Sequence, residues 1–136
     1  MSKKVLIVDD HHDTSFTLCK LLKTEGYDVD HAIDGLCGYH SAAAGHPDLI
    51  VTDIQMPRMN GIEMIKRIKS QNDLSSIHII VMSAYGKRII DDAMDAGADG
   101  YIEKPLDFGK FLAAVKNLLP NGEASLNANA VQAGPA

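Results

Sequence analysis

Short aliphatic runs alternate with longer amphipathic stretches over most of the chain. Val5-Leu6-Ile7-Val8 is unbroken and stops at Asp9-Asp10, the profile of a strand covered on both faces. From about Thr14 to Glu25, Leu18, Leu21 and Leu22 share one side of a helix, and Gly26 supplies its stop. Tyr27–Ala32 reads as a weaker strand, and Gly35–Ala44 as a small-residue helix with Asp34 as N-cap. Leu49-Ile50-Val51 is a third strand ending at Asp53. Pro57 and Gly61 break the chain before a helix carrying Ile62, Ile65 and Ile68. Ile77–Met82 is a fourth strand ending at Ser83. A helix over Lys87–Ala96 stops at Gly97, and Gly100–Ile102 is a short fifth strand before Lys104-Pro105. The last helix carries Phe108, Phe111, Leu112, Val115, Leu118 and Leu119 at a 3.6-residue period.

Strands alternating with helices in this way predict an α/β fold, a parallel sheet with helices on both faces. No repeat of solenoid length interrupts the alternation. After Pro120 the composition turns to Asn, Ala and Gly with almost no large apolar residue. Residues 1–120 are therefore expected to form one domain, and 121–136 a disordered end or the stub of a linker.

The 136 residues suffice for one domain with a real core, and 46% hydrophobic with 23% charged side chains is the composition of a globular protein. A formal charge of -5 argues against direct nucleic-acid binding, which asks for a basic face. The aliphatic runs are far shorter than the roughly 20 residues of a membrane span, and the start lacks the long apolar region of a signal peptide. Two cysteines, Cys19 and Cys37, without metal-like spacing point to neither a disulfide framework nor a zinc site, and to a cytoplasmic location.

The placement of polar residues carries more information than their number. Asp9 and Asp10 end the first strand, Asp53 the third and Ser83 the fourth, while Lys104 follows the fifth. In an open parallel sheet these ends share one edge, where such folds hold ligands. An aspartate after a strand is also ordinary turn chemistry, but its repetition over successive strands favours a shared site. Three converging carboxylates repel one another and resist full ionisation without a cation among them. Hard oxygen donors suit magnesium, and a nearby lysine and hydroxyl complete a phosphoryl site. Neither GxxxxGK[ST] nor GxGxxG is present, so nucleotide binding has no motif to support it. A carboxylate can itself be the nucleophile.

Val5–Asp10, the stretch from Asp53-Ile54-Gln55-Met56-Pro57 to Gly61, Ser83-Ala84, and Ala96-Gly97-Ala98-Asp99-Gly100-Tyr101 with Lys104-Pro105 together resemble a response-regulator receiver domain of two-component signalling. The likeness runs from about Lys3 to Leu119. It implies a doubly wound, flavodoxin-like five-stranded sheet of order 2-1-3-4-5. It makes Asp53 the acceptor of a phosphoryl group from a sensor histidine kinase or a histidine phosphotransfer protein. Magnesium would be held by Asp9, Asp10, Asp53 and the backbone carbonyl of Gln55, with Lys104 and Ser83 on the phosphoryl oxygens. Ser83 and Tyr101 would form the switch that reshapes the face made by the fourth helix, fifth strand and fifth helix for a downstream protein target. Gln55, Ala84 and Tyr85 would flank the pocket and tune acyl phosphate lifetime, and Pro105 would follow a cis bond. The chain would act as a phosphoacceptor, not as an enzyme turning over a diffusible substrate. A stand-alone regulator, monomeric or dimerising on phosphorylation, is the expected form, and a receiver cut from a longer protein is the alternative.

His11-His12-Asp13 departs from the family pattern. Two histidines there offer ligands for a softer metal, but a solvated loop and first helical turn is the simpler reading. His31, His40, His46 and His78 show no ligand spacing, and Met56, Met59 and Met64 read as core and loop packing. Two rival functions are a phosphate-independent receiver-like binding module and a metal-dependent phosphoesterase. The complete set Asp9, Asp10, Asp53, Ser83 and Lys104 argues against the first. The chain is too short for the second domain that a phosphoesterase with an Asp-His-His motif needs.

Overall fold

The computed structural model describes residues 3–84 and 86–119; the proposed tail, 121–136, lies outside them. Five strands, β1 (Lys4–Val8), β2 (Asp28–Ala32), β3 (Leu49–Asp53), β4 (His78–Ser83) and β5 (Gly100–Glu103), alternate with five helices. The helices are α1 (His12–Thr24), α2 (Gly35–Gly45), α3 (Gly61–Lys69), α4 (Lys87–Ala96) and α5 (Phe108–Leu118). The strands form one parallel sheet of order β2-β1-β3-β4-β5, as the resemblance implies.

Alternation along each strand builds two cores. Leu6, Val8, Ile50, Ile79 and Val81 pack with Met64, Ile65 and Ile68 of α3 and with Ala42 of α2 and Ala93 of α4. Val5, Ile7, Leu49, Val51, Ile80 and Met82 turn to the other face, against Leu18 and Leu22 of α1 and Phe111 and Val115 of α5. Residues 5–8 of β1 and all of β3 are buried, which is why neither strand shows a polar alternation in sequence. β2 is an edge strand with Asp28, Asp30 and His31 exposed. Charge at an edge discourages pairing with another chain, and it also makes this strand the weakest in the hydrophobic pattern.

Three helical expectations shift. α1 starts at His12, ahead of Thr14, because its first turn closes through the His11 carbonyl, which accepts from Ser15 N–H at 3.0 Å, without a capping side chain to mark it. In α3 the fully buried residues are Met64, Ile65 and Ile68, while Ile62 is only partly buried. Strict three-residue spacing drifts off a 3.6-residue face, and Met64 fills the place. In α5 the stripe holds, with Phe111, Val115 and Leu119 buried and Leu112 and Leu118 packed beside them, except that Phe108 at the first turn is 46% exposed. Asp34 does cap α2, accepting from Cys37 N–H at 2.8 Å.

Candidate functional site

The carboxyl ends of β1, β3, β4 and β5 lie side by side in that order, so the residues that terminate them meet although they are far apart in sequence. Asp9 follows β1 and is fully buried; Asp10, next to it, is exposed with its side chain one-third accessible. Asp53 is the last residue of β3 and is 6% exposed. Its Oδ1 accepts from Ile54 N–H at 2.9 Å and its Oδ2 from Lys104 Nζ at 3.0 Å. Burial pushes the Asp53 carboxyl above the ordinary aspartate value. Asp9 adds to that rise, and Lys104 and Ile54 N–H oppose it.

One donor atom from each of Asp9, Asp10, His11 and Asp53 lies within 4.8 Å of the others. Asp9 Oδ1 accepts from His11 N–H at 2.9 Å, whereas its buried Oδ2 has no hydrogen-bond partner among the described residues. A fully buried carboxylate oxygen without a partner is costly. A divalent cation drawn to oxygen removes that cost, so Asp9, Asp10 and Asp53 fit a hard-metal site.

Ser83 ends β4 and is buried, and its carbonyl accepts from Lys104 N–H at 2.8 Å. This backbone bond ties the lysine to the strand beside Asp53. The Lys104-Pro105 bond is cis. Gln55 and Ala84 sit just past β3 and β4, both exposed. Tyr101 is on β5, paired with Val81 and 51% exposed. Tyr85 lies outside the described residues.

The site floor is held by a glycine. A Cβ on Gly61 would stand 2.4 Å from the Asp53 carbonyl oxygen and 3.0 Å from Ile54 Cα, and Gly61 N–H donates to the Ile54 carbonyl at 2.8 Å. The start of α3 can approach the end of β3 only without a side chain there. A groove of about 460 Å³ beside the site is lined by His11, Thr14, Thr17, Lys104, Leu106 and Phe108, among others.

Sequence reasoning missed one feature near this edge and set a second aside. Arg58, at φ 67, directs Nε and its Nη2 to Asp34 Oδ2 at 2.8 and 2.7 Å. The turn conformation that aims it has no signal beyond Pro57 before it. His11 reaches the acidic pair, with Nδ1 at 3.2 Å from Asp9 Oδ1 and 3.3 Å from Asp10 Oδ1. His12 instead opens α1, its ring edge-on to His31 with centroids 6.3 Å apart.

Cys19 and Cys37 are both free thiols, and no helix among the described residues is long and apolar enough to cross a membrane.

Comparison with known proteins converges on the same architecture. The chain is 36% identical over 121 residues to Sporulation initiation phosphotransferase F of Bacillus subtilis (strain 168), covering 88% of this chain and 96% of that protein. It is 39% identical over 124 residues to the Transcriptional regulatory protein CusR of Escherichia coli (strain K12), covering 89% of this chain but about half, 53%, of that protein. The structure of the chemotaxis response regulator CheY4 of Vibrio cholerae superposes with a TM-score of 0.83 at 27% identity, over 88% of this chain and all of that one. Residues 5–116 match the response regulator receiver domain model, and the chain belongs to this family of two-component signalling domains, whose members are typically phosphoacceptors without enzymatic turnover.

Proposed function

We propose that this chain receives a phosphoryl group on Asp53 from the phosphohistidine of a sensor kinase or a histidine phosphotransfer protein. The observation that carries this reading is the buried Asp53 carboxylate, 3.0 Å from Lys104 and within the cluster that includes Asp9 and Asp10. In the transfer, an Asp53 oxygen forms the new bond to phosphorus as the N–P bond of the donor breaks. The electron pair leaves with the donor imidazole, which takes up a proton. Lys104, now bound to Asp53, is placed to follow the charge onto the phosphoryl oxygens, where preorganised positive charge lowers the barrier. A magnesium ion held by Asp9, Asp10, Asp53 and the Gln55 carbonyl would supply the second positive charge facing those oxygens.

Ser83 and Tyr101 are the proposed readout. Ser83 is buried next to Lys104 at the end of β4, and Tyr101 stands half-exposed on β5. A shift of the hydroxyl toward a phosphoryl group would let the aromatic ring turn inward, changing the surface of α4, β5 and α5 that a downstream protein would read. Gln55, Ala84 and Tyr85 would set how long the acyl phosphate lasts.

Intact mass after incubation with a small acyl phosphate, with and without magnesium, tests the reading alongside Asp53→Asn. One phosphoryl adduct that requires both magnesium and Asp53 is expected. A folded protein that takes no adduct under these conditions or from a phosphorylated histidine donor would leave a phosphate-independent binding module.

A further inference from the structure

We propose that His11 is itself a ligand of the divalent cation held by Asp9, Asp10 and Asp53, so that the site favours a first-row transition ion over magnesium. This rests on the metal site of the reading above and adds to it a nitrogen donor.

The placement of the ring carries the inference. His11 Nδ1 is within 3.3 Å of one oxygen from each of Asp9 and Asp10. Neighbouring donors about 2.1 Å from one ion stand roughly 3.0–3.4 Å apart between octahedral and tetrahedral arrangements, so the imidazole already has a ligand's spacing from both carboxylates. The backbone holds it there, because His11 N–H donates to Asp9 Oδ1 at 2.9 Å and the His11 carbonyl caps the first turn of α1. Asp9 Oδ2, fully buried and without a partner among the described residues, independently marks a pocket suited to a cation.

Neighbouring histidines do not compete for the role. His31 Nε2 is 3.1 Å from the Asp9 carbonyl, on the β2 side, and lies outside the cluster, as does His12. The donor set is therefore the three carboxylates and the Gln55 carbonyl with one imidazole added. Oxygen-only sets suit magnesium, whereas an added imidazole favours zinc, cobalt and their neighbours.

Calorimetric titration of the whole protein with Mg2+ and with Co2+, for wild type, His11→Ala and His12→Ala, tests this. The visible spectrum of bound Co2+ and the imidazole 15N shifts under Zn2+ serve as direct readouts. His11→Ala is expected to weaken Co2+ binding about 10-fold or more while Mg2+ affinity changes far less; His12→Ala should leave both unchanged. Zn2+ should shift the His11 Nδ1 resonance. A Co2+-to-Mg2+ affinity ratio unchanged by His11→Ala, or an unmoved Nδ1 resonance, overturns the ligand role. If Mg2+ then still binds through Asp53, the phosphoacceptor reading stands without it; absence of all divalent binding would overturn both.

Discussion

Lys104 Nζ and Asp53 Oδ2 stand 3.0 Å apart although 51 residues separate them in the chain. The contact joins the loop after β5 to the end of β3, across the end of β4. The Lys104 backbone is itself bonded to the Ser83 carbonyl, so the ammonium group is delivered by the sheet and not by a free loop. Lys104→Met keeps most of the side chain's length and its apolar stem without the charge. It should slow adduct formation at Asp53 by about 10²-fold while leaving the unfolding transition cooperative. Initial rates by intact mass decide the matter, and a rate within twofold of wild type would remove Lys104 from the chemistry.

Gly61 presses on the Asp53 carbonyl from α3. Gly61→Ala would set a methyl group 2.4 Å from that oxygen, and a backbone contact cannot swing away. Destabilisation of about 1–3 kcal/mol is expected, together with slower adduct formation, because the strand end carrying Asp53 must shift. Gly86, the N-cap of α4 with nothing within 4 Å of its would-be Cβ, is the control: Gly86→Ala should cost up to about 1 kcal/mol through the cap alone and leave adduct formation unchanged. Urea unfolding of both variants separates steric conflict from the general cost of replacing glycine.

Tyr27 donates its hydroxyl to the Leu119 carbonyl at 2.6 Å, closing the end of α5 against the start of β2. Burial, with a smaller contribution from Glu25, pushes its phenol up from 10.0 to about 12. The fold therefore holds this proton more tightly than the unfolded chain does. The stability it contributes is complete below pH 10 and is lost as the pH rises toward 12. Tyr27→Phe should cost about 1–2 kcal/mol at neutral pH, since it strands the Leu119 carbonyl, and the difference from wild type should shrink across the alkaline window. A gap that stays constant from pH 8 to 12 would exclude this linkage.

Asp34 is held below the ordinary carboxylate range, first by Cys37 N–H and then by Arg58. Its contribution is present above the usual carboxylate value and fades as the pH falls below it. Asp34→Ala loses the N-cap of α2 and should cost about 1 kcal/mol. Asp34→Asn keeps a capping oxygen but loses the charge, so its stability should fall less steeply than that of wild type below about pH 4. Denaturant midpoints measured from pH 6 to 2.5 give the two slopes directly.

The sheet was legible because its inner strands are buried on both faces, which writes continuous aliphatic runs such as Ile79-Ile80-Val81-Met82 into the chain. The acidic site was legible for a related reason: each run stops at the polar residue that ends its strand. What stayed hidden depends on direction in space. Nothing local distinguishes Phe16, 71% exposed on α1, from Leu18, fully buried two residues later. The pairing of Arg58 with Asp34 spans 24 residues and depends on a left-handed turn. His11 and His12 are identical in composition, yet only the first, which precedes the helix, is free of the helical direction that carries the second away from the carboxylates.

The order of strands also divides the site's charges by mechanical security. The carboxylates follow β1 or end β3, inside the sheet, whereas Tyr101 lies on β5 and Lys104 directly follows it, and β5 has a neighbour on one side alone. Edge elements open at lower free energy than central ones. Fraying of β5 alone would thus leave the anionic half of the centre intact while withdrawing the Lys104 counter-charge and Tyr101, so that cation retention is expected to outlast the proposed phosphoryl acceptance as the protein is loosened.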